Sequence, residues 1–360
     1  MKITMLGYSG SGKTTLMHGM ASTLAPGNAD HDYALIPRLK NDDELASFNE
    51  EVDVLVDFME NTVEHAGYWP LGTNKTTVYP FAIEYLTNHK ITNIEWVDFR
   101  GGLLSHIFKP AHRDEKELEA LFFHLIESNV VVIVADAYHL THFTRIDEIR
   151  HFSGAKIINL IMNRFDRIYP NRKLNILIVL TKADSVDSCW KEEDYKQLLD
   201  KGMEVFDPVV KLCRNNSNWN GGILPVSVIG EENVERKITP KTDSDSPMDI
   251  PFLAEDKIIG LPQPFNTEYV LYFCLGFSLL QMKNAAKESI SDYQKTIEQV
   301  LQDAGTLNSI WSFLRGRPSA AEIARKSSEK KKRDEESLLK FESHIDTLMD
   351  YTRKRVRLFA

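Results

Sequence analysis

Cysteine is scarce in this sequence: three residues, Cys189, Cys213 and Cys274, among 360. An odd and scattered set excludes a disulfide framework and suggests no zinc site. Long hydrophobic runs are missing too. The most apolar stretch, residues 269–280, is too short to span a bilayer and is expected to be a buried helix. Positive charge is in deficit, with 43 Lys and Arg against 52 Asp and Glu and a formal net charge of −9. That balance argues against generic nucleic-acid binding. No cleaved leader is expected, because residues 3–6 already read as a core strand, and the expected location is cytoplasmic. What is left is an ordinary globular composition, 42% hydrophobic. Its length suits one large domain, or one domain with an appendage.

Glycine, by contrast, is concentrated where it matters. Residues 7 to 14 read Gly7-Tyr8-Ser9-Gly10-Ser11-Gly12-Lys13-Thr14, directly after the strand Ile3-Thr4-Met5-Leu6. A strand, G-x-x-x-x-G-K-[ST] and a helix form a phosphate-binding loop. Gly7, Gly10 and Gly12 let the backbone fold so that successive N–H groups point at phosphate oxygens. The helix predicted over 13–24 adds the positive end of its dipole. Lys13 is placed to reach the β- and γ-phosphates, and the Thr14 hydroxyl to bind Mg²⁺. The candidate phosphate set is Gly7, Ser9, Gly10, Ser11, Gly12, Lys13, Thr14 and Thr15. This segment predicts a nucleoside triphosphate ligand.

The base is addressed further along. Residues 174–180 form an apolar run that reads as a buried parallel strand, with Thr181-Lys182-Ala183-Asp184 at its carboxyl end. This resembles the [NT]-K-x-D base-reading motif of the GTPase superfamily. Asp184 can accept from the N1–H and the exocyclic amine of guanine; adenine would leave that carboxylate unpaired. The Lys182 stem would lie over the base, and Thr181 stands where most members carry Asn. Between the two motifs, residues 94–98 form a strand ending in Asp98-Phe99-Arg100-Gly101. This resembles the third GTPase motif, Asp-x-x-Gly. The resemblance implies that Asp98 holds Mg²⁺ through a water and that the Gly101 N–H meets the γ-phosphate. Thr76 and Thr77, with Thr73 a poorer third, are candidates for the threonine that closes over Mg²⁺. A further strand over 222–228 carries Ser227 where the fifth motif would touch guanine.

The ordered set resembles the translation-factor and Ras-like class of P-loop GTPases over residues 1–285. Trp69-Pro70-Leu71-Gly72-Thr73, followed by Thr77-Val78-Tyr79-Pro80-Phe81, looks like the bacterial double-GTPase proteins. That resemblance implies GTP/GDP cycling with Mg²⁺ and a regulatory or conflict-system role, with a protein effector or activator as partner. One position departs from the pattern. Ras-like enzymes place Gln directly after Asp-x-x-Gly to orient the attacking water, and here Gly102 stands there. The missing group could come from His106, from Arg100 or from a partner, so intrinsic hydrolysis is expected to be slow. Lys13, Arg100 and His106 are the candidate catalytic residues.

The expected fold is a doubly wound, mainly parallel α/β sheet of the P-loop NTPase type with a C-terminal α-helical extension. The domains are drawn at 1–285 and 286–360. Pro80 suggests an edge strand or a late start to the pairing of its strand. Residues 231–256, dense in charge, Ser and Pro, read as a surface loop. In the extension Leu338, Phe341, Ile345 and Leu348 recur at helical spacing, followed by the basic run Arg353-Lys354-Arg355-Val356-Arg357. A helical hairpin is expected there, with an output module that binds a partner or anionic lipid once the nucleotide changes as the sharper alternative. Two other functions stay open: a P-loop ATPase in which Thr181–Asp184 is a plain turn, and a dynamin-like assembly protein.

Overall fold

Apolar runs that can be buried on both faces become the middle of a parallel sheet, and that is where the longest such runs of this chain lie. The computed structural model describes residues 1–28, 30–39, 44–46, 48–49, 52, 76–85, 89–104, 115–186, 191–230, 234–240, 252–258, 263–304 and 320–359. The strands are β1 Lys2–Leu6, β2 Tyr33–Pro37, β3 Thr77–Tyr85, β4 His89–Asp98, β5 Val130–Asp136, β6 Leu174–Thr181, β7 Trp219–Pro225, β8 Val234–Pro240, β9 Phe252–Ile258 and β10 Arg357–Leu358. Eight of them form one sheet in the order β10-β7-β6-β5-β1-β4-β3-β2. The pairs β4/β1, β1/β5, β5/β6 and β6/β7 are parallel. The outer pairs β2/β3, β3/β4 and β7/β10 are antiparallel. This is the mainly parallel α/β sheet of a P-loop NTPase, as the sequence led us to expect.

The helices are α1 Lys13–Thr23, α2 Gly101–Leu104, α3 Glu115–Glu127, α4 Ala137–His142, α5 Ile146–Phe152, α6 Ala155–Ile168, α7 Glu192–Val205, α8 Asp207–Asn215, α9 Thr267–Ala304 and α10 Ala320–Arg355. Alternate residues of the central strands (Val131, Ile133, Ile176, Ile178) enter one large apolar cluster with Leu121, Ile161, Phe165 and Val209. Their neighbours Val132, Val134, Leu177 and Val179 are also fully buried and point to the opposite face. Cys213 and Cys274 are buried free thiols, and burial pushes Cys213 up to about 12, so neither is a reactive group at neutral pH. Cys189 lies outside the described residues.

Three sequence expectations come out differently. β3 is an internal strand: it pairs with β4 from Thr77, ahead of Pro80, while its pairing with β2 begins only at Phe81, the late start expected of a proline. Pro80 is tolerated because Glu95, opposite it, bonds away from it through its N–H to Met1 O (2.9 Å), so the missing N–H faces the β2 side just past the end of β2, where the Pro80 carbonyl still accepts from Arg38 N (2.8 Å). Second, 231–256 is not a plain loop: β8 and β9 pair antiparallel from Val234↔Ile258 to Pro240↔Phe252. Third, the apolar helix, expected from its residues to span Thr267 to Met282, runs on to Ala304.

The chain divides into two compact units, one of Met1–Cys274 with Arg353–Ala360, the other Leu275–Thr352. A boundary at 285 therefore falls inside α9. Within the second unit, Lys283 Nζ pairs with Glu342 Oε1 at 2.7 Å, and Ile345 and Leu348 are buried. The side chains of Leu338 and Phe341 lie outside the described set. No described helix is long and apolar enough to cross a membrane.

Candidate functional site

The chain leaves β1 towards β4 on one side and later crosses to β5 on the other, so β1 sits at a switch in strand order. In open α/β sheets the crevice at such a point receives ligands. Residues 7–12 fill it. Gly10 and Gly12 have φ of 78° and 81°, the left-handed region that other residues enter at a cost. Gly7 has no room for a side chain, since a Cβ there would stand 2.4 Å from Val134 O.

Lys13 is 5% exposed and folds back over this loop, its Nζ donating to Gly7 O (2.9 Å) and Tyr8 O (3.1 Å). Burial lowers its pKa, against the opposing pull of Asp98. The Thr14 hydroxyl donates to Asp98 Oδ2 at 2.8 Å. Asp98, the last residue of β4, is fully buried. Burial raises its pKa, opposed in turn by Lys13, the Thr14 hydrogen bond and His18. Its second oxygen, Oδ1, is buried with no hydrogen-bond partner among the described residues. A buried carboxylate oxygen left without a donor is costly in a protein and is what a cation or its bound water would satisfy. Thr14 and Asp98 therefore fit Mg²⁺. Among the described residues no cluster of three His, Cys, Asp or Glu side chains could hold a metal alone. The remaining oxygens would have to come from phosphate and water, as is usual for this ion.

Gly101 opens α2 and lies flush on the phosphate loop. A Cβ there would stand 2.5 Å from Ser9 N and 2.6 Å from Gly7 O. Gly102, next to it, is less crowded: among the described residues Arg100 Nε is the nearest atom to a Cβ there, at 3.9 Å. The Arg100 N–H points at Thr76 Oγ1 across a long 3.5 Å, and Thr77 is the cross-strand partner of Asp98. Thr76, Thr77, Asp98, Arg100 and Gly101 thus meet where β3 begins and β4 ends. Thr73 and His106 lie outside the described residues. Ser9 and Gly10 are exposed, and Thr15 is half-buried on α1.

The base-motif residues converge on the same loop from β6. Thr181 Oγ1 lies 2.6 Å from Ser11 O and 3.1 Å from Ala135 O, positioned to donate to either. Lys182 is left-handed (φ 53°), and a short 3₁₀ turn, Ala183–Ser185, follows. Asp184 Oδ1 accepts from Ser227 Oγ, which also accepts from Gly230 N at 2.8 Å. Ser227 lies just past the end of β7 and exchanges two backbone hydrogen bonds with Phe265 (2.8 and 3.1 Å). The candidate residues from five separate segments are therefore neighbours.

Four residues of the site escaped the sequence reading. Asp136 ends β5 and pairs with Lys182 (2.8 Å); an acidic residue closing an apolar strand was the available signal. His18 is fully buried one turn beyond Thr14, its ring edge-on to Phe48 at 5.5 Å. Tyr8 packs on Gly154, where a Cβ would stand 2.8 Å from its ring. Gly19 meets Val228 in the same way, at 2.7 Å, seating α1 against the segment that carries Ser227.

No protein-family model and no curated protein matches the chain. Among solved structures it is similar to the signal recognition particle receptor SRb-GTP/SRX complex from Chaetomium thermophilum. That likeness has 13% identity and a TM-score of 0.34, covering 64% of this chain and 91% of that one. It is also similar to a complex of SsGBP and GDP, at 16% identity and a TM-score of 0.29, covering 63% of this chain and 44% of that one.

Proposed function

We propose that this protein is a Mg²⁺-dependent guanine-nucleotide switch that hydrolyses GTP slowly and acts on a protein partner. The observation that carries the reading is the Thr181 hydroxyl, 2.6 Å from Ser11 O. It ties the base-motif segment directly to the phosphate loop, so that one nucleotide can reach both. Asp184, oriented by Ser227, has the two acceptor oxygens that guanine requires. Lys13, Thr14 and the loop N–H groups supply the phosphate contacts. Magnesium, held by Thr14 and Asp98, would neutralise charge on the phosphate oxygens.

The rate assignment follows from Gly102. It has no side chain with which to orient a water, and among the described residues the Arg100 guanidinium is the group nearest to it. We infer that the missing group comes from a partner, which makes the protein regulatory, with its cycle set by that encounter. The order of the motifs supports placing it in the translation-factor and Ras-like class, and the segment around Trp69–Thr73 supports the double-GTPase type.

Calorimetric titration with GDP, a non-hydrolysable GTP analogue and an ATP analogue, each with Mg²⁺, tests the reading. Guanine-selective binding that is lost on Asp184→Asn is the expected result. Equal or preferential binding of the ATP analogue would overturn it in favour of a P-loop ATPase.

A further inference from the structure

We propose that Asp136 is a positioning residue of the nucleotide site: it anchors Lys182 and thereby sets how tightly a guanine base is held. The inference rests on the guanine-nucleotide reading above and adds to it a residue that lies outside the recognisable motifs.

Asp136 is the last residue of β5 and the register partner of Thr181 on β6. Its carboxylate is nearly buried, with 8% of the side chain exposed. A buried carboxylate persists where each oxygen finds a donor. Here the two oxygens serve different elements. Oδ1 accepts from Tyr138 N at 2.9 Å and caps helix α4. Oδ2 holds Lys182 Nζ at 2.8 Å.

Lys182 needs holding. Its backbone is left-handed, φ 53° and ψ 37°, which side-chain-bearing residues adopt only when their surroundings enforce it. The residue after it begins the turn that carries Asp184, so the geometry of Lys182 fixes where the base-reading carboxylate stands. With its backbone at the end of β6 and its ammonium at the end of β5, the four-carbon stem becomes a strap across the mouth between the two strands. An unanchored lysine at this exposure would sample many rotamers and lose that entropy on ligand binding; an anchored one is pre-organised.

The choice of aspartate also separates two tasks. Ser and Asn cap helices as well as Asp does. A carboxylate is required for the second task, because the ammonium needs a charged acceptor on the oxygen that the cap leaves over.

Substitution can exploit that difference. Asp136→Ser keeps the cap and is too short to reach Lys182. In the full-length protein it is expected to weaken GDP binding roughly tenfold by calorimetry, while the thermal midpoint stays within about 3 °C of the native one. Introduced into a Lys182→Ala background, Asp136→Ser should cause no further loss, because its effect passes through the lysine. Lys182→Met, which keeps the stem and removes the anchor, should weaken binding as Asp136→Ser does. It provides the same test should the Asp136 variant not fold. Native GDP affinity in either single variant, or an equal loss from Asp136→Ser with and without Lys182, would overturn the inference and leave the guanine reading standing. A native protein that binds neither GDP nor ADP would overturn both.

Discussion

Lys13 and Asp98 are two opposite charges buried beside one loop, and their environment makes ligand-free folding and ligand binding pull in opposite directions. The Asp98 pKa is raised by burial above its ordinary value of 3.8. A carboxyl whose folded pKa is raised holds its proton more tightly in the folded state. Its contribution to stability is present below the ordinary value and is lost as pH rises through the raised one. At neutral pH the charge therefore works against the nucleotide-free fold. Asp98→Asn is expected to raise the thermal midpoint of the nucleotide-free protein at pH 7 by about 2–4 °C, because Asn can still accept from Thr14. The same change should abolish the added stabilisation by Mg²⁺ with GDP. A lower midpoint for the variant would contradict the account. Among the described residues none crowds Gly102, so Gly102→Gln should fold normally and raise single-turnover GTP hydrolysis at least roughly tenfold. Phosphate release at the native rate would show that the missing glutamine is not what limits the reaction.

Between elements, backbone contacts decide what can be changed. Gly101→Ala would drive a methyl into Ser9 N and Gly7 O, backbone atoms that cannot step aside. It is expected to lower stability by about 1–3 kcal/mol, while Gly102→Ala, one residue on, is expected to leave it unchanged. Chemical denaturation of the pair distinguishes a tight α2–loop contact from a loose one. Thr181→Ala removes the hydroxyl beside both Ser11 O and Ala135 O and should cost about 1–2 kcal/mol along with GDP affinity. The contiguous parts of this region were legible in the residues. The glycine-rich loop, the Asp-x-x-Gly strand end and Thr181–Asp184 are each short and local, so their place at strand ends follows from adjacent residues. The edge position allowed for Pro80 and the plain loop expected at the β8–β9 hairpin failed for one shared reason. Both depend on which strand lies alongside and how far it extends, and the residues of one segment do not encode that.

At the scale of the whole molecule, the chain comes back to where it started. Arg353–Ala360 belongs to the first unit, and β10 pairs with β7 through Arg357↔Ile223 and Leu358↔Gly222. Phe359 lies over Gly221, where a Cβ would stand 2.4 Å from its ring, and Val356 lies over Gly222. The basic run at this end is engaged locally: Arg357 pairs with Asp200, and Arg355 stacks over Phe265 at 5.6 Å. Phe359→Ala should therefore destabilise the first unit by about 3 kcal/mol. Hydrogen exchange should register the loss in β7 and β10 and leave residues 275–352 unaffected. GDP with Mg²⁺ should shift the unfolding of that same unit, by about 2.7 kcal/mol at a hundredfold excess over Kd. A shift confined to residues 275–352 would place the nucleotide elsewhere.

The sequence by itself determined the glycine-rich loop after β1, the apolar strands that must lie in a covered parallel sheet, and the order of the motifs along the chain. These follow from glycine's backbone freedom, from hydrophobic periodicity and from the fixed reach of neighbouring side chains. Only the tertiary structure decided that Ser11 and Thr181, separated by 170 positions, share a hydrogen bond. It also decided that Asp136 anchors Lys182, that β3 is internal, and that the last residues close the edge of the first unit. Strand order and register set these contacts. They arise from the packing of whole elements against one another, where each side chain's partner depends on the position of every other strand.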